Sequence, residues 1–145
     1  MPHNSREVNF LNAVYRNADM GISAISSAAD KTDDDNLKKD LSGQLHEFRA
    51  LQAPVERKLR QHGEAPNSTA MGKLGLQTSL KLSLMLDKTP SNIARIMIDG
   101  TTTGVSDLNT MLNDNSSMQD TDIKNMAARL IEIEQRTAEM MKFYL

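Results

Sequence analysis

Thr121-Asp122-Ile123-Lys124-Asn125-Met126-Ala127-Ala128-Arg129-Leu130-Ile131-Glu132-Ile133-Glu134-Gln135-Arg136-Thr137, running on to Met141 and Tyr144, decides the fold. Its inward positions fall at Ile123, Met126/Ala127, Leu130, Glu134, Thr137, Met141 and Tyr144, in the three- and four-residue steps of one helix face. Asp120, Thr121 and Asp122 open the helix. Two positions on this otherwise apolar stripe are polar, Glu134 and Thr137. A carboxylate turned toward a core needs partners, and the expected ones are Gln44, Thr137 or a threonine of the preceding helix. Glu132 and Glu139 read as members of the solvated face.

Before this helix, Asn113 to Gln119 reads as a polar loop. The segment upstream places Ile93, Ile96/Met97, Gly100, Gly104, Leu108 and Met111/Leu112 on one stripe. Thr89-Pro90 has the pattern of an N-cap followed by proline at the first helical position. A helix starts there, or a longer third helix bends there. Gly100 and Gly104 lie one above the other, and each costs a helix about 1 kcal/mol relative to alanine. The expected compensation is close approach by a facing helix at Gly21 or Gly43; the functional alternative is room for a small ligand or a bend. From Met71 to Leu86 the leucines at Leu80, Leu82, Leu84 and Leu86 alternate as in a strand, while Leu76, Leu80 and Leu84 are four apart. Leu, Met, Gln and Lys favour helix. Because these leucines cover more than one face, Leu76, Leu80, Leu82, Leu84 and Leu86 are the candidate interface.

Two further helices come first in the chain. Ser5 to Asp30 repeats Val8, Leu11, Val14/Tyr15, Ala18, Gly21/Ile22 and Ile25, and Lys31-Thr32 makes the turn. Thr32-Asp33-Asp34-Asp35 opens the second helix with capping-box-like spacing between Thr32 and Asp35. Leu37, Leu41, Leu45, Phe48, Val55 and Leu59 form its stripe. Pro54 removes a hydrogen bond to the Ala50 carbonyl and is expected to kink or break it. Basic Arg57, Lys58 and Arg60 then precede Gly63 in the C′ position.

Composition agrees with helices. Of 145 residues 39% are hydrophobic but only 3% aromatic, so the core must come from Leu, Ile, Ala and ten Met. The methionines read as flexible core filler. One core fits this length, so residues 1–145 read as a single helical-bundle domain. A net charge of −2 without a basic patch gives no footprint for nucleic acid. Cysteine is absent, which excludes thiol catalysis and thiolate metal sites. No apolar run is long enough to span a membrane and the N-terminus lacks signal-peptide order, so a cytoplasmic protein is expected, although a mature secreted form would read the same. No serine sits in a nucleophile elbow and no glycine loop cradles phosphate.

Three stretches carry a resemblance: Tyr15-Arg16-Asn17-Ala18-Asp19-Met20-Gly21, Met97-Ile98-Asp99-Gly100-Thr101-Thr102-Thr103-Gly104-Val105, and Ile133-Glu134-Gln135-Arg136-Thr137 through Tyr144-Leu145. Over nearly the whole chain, the layout resembles the ferritin-like superfamily, in particular small uncharacterised ferritin-like proteins of anaerobic bacteria. Four amphipathic segments joined by short polar connections make an all-α, antiparallel (up-down) four-helix bundle the simplest architecture, with helix two kinked at Pro54 and helix three interrupted or bent near Thr89-Pro90. The resemblance points to the same kind of bundle. It also implies a di-iron or di-manganese site of bridging carboxylates and Glu-x-x-His pairs. This sequence departs from that pattern. Glu134 is followed by Thr137 where His belongs, and Gln44 pairs with Glu47, again without His. Glu47, Asp99 and Glu134 are what remains as weak candidates for a single divalent ion, and no cofactor is expected. His46-Glu47-Phe48-Arg49-Ala50 is similar to the phosphoacceptor motif of histidine phosphotransfer domains, which makes His46 a candidate of another class.

The expectation is therefore a non-enzymatic interaction or structural protein that self-associates through helical faces, its protein partner unknown. An Fe- or Mn-binding bundle that handles oxidants is one alternative, and a phosphotransfer module using His46 is the other.

Overall fold

The structure, a computed structural model, describes residues 2–66, 81–82 and 84–145, with the backbone alone for residues 2–4. It is all-α. The helices are α1 (Pro2–Lys31), α2 (Asp35–Gln61), α3 (Pro90–Asp114) and α4 (Thr121–Met141), followed by a 3-10 turn at Lys142–Tyr144. No strand occurs among the described residues. No helix among them is long and apolar enough to cross a membrane.

The junction between α1 and α2 corrects the expected cap. The Thr32 N–H still bonds to the Ala28 carbonyl at 3.1 Å, so Thr32 closes α1 and does not open α2. Its hydroxyl oxygen accepts from the Asp34 N–H at 3.1 Å, and Asp34 is the N-cap, its carboxylate accepting from the Leu37 N–H at 2.8 Å. The registers follow from burial, because Leu37 is the first fully buried residue of α2 and Asp34 sits three residues before it.

Pro54 does not break α2, which is helical from Asp35 to Gln61. The carbonyl it leaves without a helical donor belongs to Ala50, an exposed residue, so solvent is at hand to satisfy it. The C-terminus is built as the sequence suggests. Gly63 takes φ +76° and its N–H reaches the Arg60 carbonyl at 2.9 Å, while Glu64 N–H returns to Leu59 O at 3.0 Å.

Of the two readings at Thr89-Pro90, the structure takes the helix start. Thr89 caps α3 by accepting from the Asn92 N–H at 3.3 Å, and residues 85–89 are not helical. Asn92 in turn donates to the Asp87 carbonyl at 2.8 Å, tying the incoming chain to the first turn. The helix expected over Met71–Leu86 lies mostly outside the described residues; Lys81, Leu82 and Leu84 are helical.

All four helices contribute to one core, from Leu11, Val14 and Ile25 through Leu41 and Leu59 to Ile93, Leu108, Ile123 and Leu130. Contact is most extensive between α1 and α2 and between α3 and α4, with α2–α4, α1–α3 and α1–α4 contacts closing the set. Polar pairs mark which ends meet. Glu7 of α1 lies 3.4 Å from His62 at the end of α2, and Arg6 donates to Asn115 at 2.9 Å beyond the end of α3. Lys58 lies 3.3 Å from Asp120, the N-cap of α4. At the other end the Tyr144 hydroxyl donates to the Asp40 carboxylate.

The cap assignment can be checked directly. Asp34→Ala is expected to cost about 1 kcal/mol in urea unfolding, and Asp35→Ala clearly less, because only Asp34 holds an otherwise open N–H.

Candidate functional site

Gly104 sits on α3 where α1 and α4 come closest to it. Its carbonyl accepts from the Asn17 amide of α1 at 3.1 Å. On the α4 side the Glu134 carboxyl packs against its Cα. A Cβ at this position would stand 3.0 Å from both Cδ and Oε2 of Glu134 and nearer still to Oε1. The missing side chain therefore makes room for a carboxyl, not for a facing glycine as the spacing suggested. Gly21 serves the Phe48 ring in the same way, and Gly43 is exposed with nothing within 4 Å.

Glu134 is 3% exposed, and its Oε2 has no hydrogen-bond partner. The expected partners are otherwise engaged. The Thr137 hydroxyl is shared between Gln44 Oε1 at 2.8 Å and the Ile133 carbonyl at 2.9 Å. Thr101 and Thr102 donate to the Ile98 carbonyl and Thr103 to that of Asp99. A threonine hydroxyl inside a helix reaches a carbonyl of the preceding turn more easily than a group across the interface. Burial without compensation, helped by the charge of nearby Asp107, raises the Glu134 pKa from 4.5 to about 9. At neutral pH the folded protein holds this carboxyl in its protonated form.

Glu134 faces a cavity of about 100 Å³. Asn17, Phe48, Met97, Gly104 and Asp107 line it with Glu134, and Asp99 and Lys81 stand among its outer residues. Asn17 is 4% exposed and, like Glu134, has one unpartnered oxygen, Oδ1.

The candidates drawn from the sequence are thus divided. Asp99 and Glu134 share the cavity, whereas Glu47 lies outside it, half-exposed, 3.7 Å from Arg136. Among the described residues no group of three or more His, Asp or Glu assembles as a metal site. The donor set around Glu134, with Thr137 bonded to Gln44, does not fit a dinuclear carboxylate–imidazole centre. His46 is exposed on α2, as are Arg49 and Ala50, while Phe48 two residues on is buried. Leu76 and Leu80 lie outside the described residues. Leu82 is fully buried in the core of its own chain, and Leu84 and Leu86 are exposed.

Asp107 escaped sequence reasoning. Its signal was present, since it follows Gly104 by three residues and Gly100 by seven and so shares their face. Compared with known proteins, the chain matches no family model and no curated protein.

The raised pKa has a consequence with a definite sign. Between about pH 4.5 and pH 9 the native state holds a proton that the unfolded chain releases, so the native state binds more protons and stability falls as pH rises. Glu134→Gln is expected to flatten that slope and to leave the protein about 1–3 kcal/mol more stable than its parent near pH 8.5. Urea unfolding across this range reads both effects; parallel curves for the two proteins would contradict the assignment.

Proposed function

We propose that the chain is an up-down four-helix bundle of the ferritin-like kind that acts without catalysis, as an interaction or structural module that self-associates through one end. The end-to-end pairs support the antiparallel part of this reading. The start of α1 meets the ends of α2 and α3, the end of α2 meets the start of α4, and the end of α4 meets the early part of α2. The polar residues Glu134 and Thr137 on the inward stripe of α4 support descent from a bundle with a central carboxylate site whose imidazole partners have been replaced.

One observation carries the functional part. Leu84, Leu86, Phe143 and Leu145 are exposed large apolar residues, Leu86 at 98% and Phe143 at 91%. Leu84 and Leu86 precede the start of α3, and Phe143 and Leu145 follow the end of α4. The 3-10 turn that carries Phe143 packs against α3, and Tyr144 beside it is bonded to Asp40 near the start of α2. Leu84 and Leu86 lie in the segment that leads into α3, which begins at Pro90. Large apolar side chains left in water cost about 25 cal/mol per Å² relative to burial, and a second copy of the same surface would cover them. Tyr144 turns in where Phe143 turns out, so the exposure of Phe143 is fixed by the backbone of the turn and its anchored neighbour.

Sedimentation at tens of micromolar tests the reading. A dimer or larger assembly is expected, shifting to monomer in a Leu86→Ser/Phe143→Ser variant whose helicity is unchanged. Monomer alone in the parent protein contradicts it. Stoichiometric iron or manganese in the native protein would favour the oxidant-handling alternative, and phosphate transfer to His46 the phosphorelay.

A further inference from the structure

The cavity beside Gly104 has the parts of a recognition site, and they point to one kind of ligand. Two buried oxygens without hydrogen-bond partners line it, Glu134 Oε2 from α4 and Asn17 Oδ1 from α1. The orientation of the Asn17 amide is fixed by its other end. Nδ2 donates to the Gly104 carbonyl at 3.1 Å, and turning the amide over would set two acceptors against each other. Asn17 Oδ1 therefore asks for a donor, and the Glu134 carboxyl does so once it gives up its proton. A bound donor with at least two N–H or O–H groups would satisfy them together.

Charge selects among such donors. Asp99 and Asp107 of α3 line the cavity as carboxylates, against one cation among the described residues, the exposed Lys81, and Glu134 of α4 adds a negative charge when it gives up its proton. α1 and α2 contribute no charge to it, only Asn17, small or apolar residues and the Phe48 ring. An anion would meet unfavourable potential on entry, and a cation the reverse. The Phe48 ring adds a surface that favours a cation, and Met20 and Met97 offer an apolar wall for a short alkyl chain. Divalent metal ions want six or more oxygen ligands or a rigid octahedral shell, which two buried oxygens do not supply.

Volume sets the size. A dry cavity of about 150 Å³ accepts benzene, with its six heavy atoms, so one near 100 Å³ accepts roughly four.

We propose that this cavity binds a small primary alkylammonium ion, with the ammonium group held between Glu134 Oε2 and Asn17 Oδ1 and the alkyl chain against Phe48 and Met97. Two of its three N–H groups meet the two orphan oxygens, and the third faces the Asp107 side. The bound cation takes the place of the proton as the partner of the Glu134 carboxyl. Gly104 is required for the site, because any side chain there would displace that carboxyl.

The probe is n-propylammonium chloride, titrated into the full chain at pH about 8 and followed by calorimetry and by amide chemical shifts, with 1-propanol and sodium chloride as matched controls. Saturable binding is expected for the ammonium and not for either control, with shifts centred on Asn17 and Gly104. Glu134→Gln is expected to weaken it by about tenfold or more, and Asp107→Asn, an exposed position that leaves the fold intact, by about two- to fivefold. No saturable response, an equal response to propanol, or binding unchanged in both variants would overturn the proposal. Displacement of the ammonium by magnesium or manganese at equimolar concentration would assign the site to a metal and overturn it equally.

Discussion

The Glu134 carboxyl lies over the bare Cα of Gly104, out of water and without a donor for Oε2, and three helices are arranged around that contact. α3 supplies the glycine, α4 the carboxyl, and α1 the Asn17 amide that fastens the same residue from the other side. Substitution at any of the three positions changes the other two. A side chain at residue 104 would push on Glu134, and loss of the Asn17 amide would remove the bond that ties α1 to the Gly104 carbonyl. The chain tolerates an acid here because a proton replaces the missing partners, at the expense of stability whenever the solvent is basic enough to take that proton from the unfolded chain.

Local signals in the sequence carried most of the helical architecture. Thr89-Pro90 marked a start, Gly63 marked an end, and the three- and four-residue steps separated four helices most of whose inward residues are buried or partly buried. The inward orientation of Glu134 and Thr137 was legible for the same reason. Legibility failed where two local choices were close in energy or where the answer lay across an interface. Thr32 and Asp34 are both good caps, and the choice between them was made by the depth at which Leu37 enters the core. Pro54 read as a kink or a break, and the break is absent: the carbonyl it orphans belongs to an exposed residue, Ala50, which lowers the cost of continuing the helix. The partners of Glu134 were misjudged because threonine hydroxyls satisfy themselves on their own helix, and no periodicity reveals that.

The same limit applied to the glycines. Spacing correctly flagged Gly104 as a close approach but said nothing of what approaches. That depends on the register between α3 and α4, which is a property of the assembled core. Asp107 belongs to the same class, since its charge matters only because Glu134 is near it. At the far end of the molecule, Phe143 lies outside because Tyr144 is drawn in toward Asp40, again a tertiary cause for a local orientation. The cavity is lined by other residues than the exposed apolar ones, Leu84, Leu86, Phe143 and Leu145.

The site depends on the ionisation state of one side chain, Glu134. Carbon-13 labelling of the glutamate side chains, with the Glu134 carboxyl assigned by comparison with Glu134→Gln, follows its protonation directly by NMR. The structure predicts a carboxyl that is neutral at pH 7 and titrates with a midpoint near about 9. A midpoint at the ordinary value near 4.5 would mean that the group is solvated or paired, and would contradict the buried, partnerless carboxyl on which the site is built.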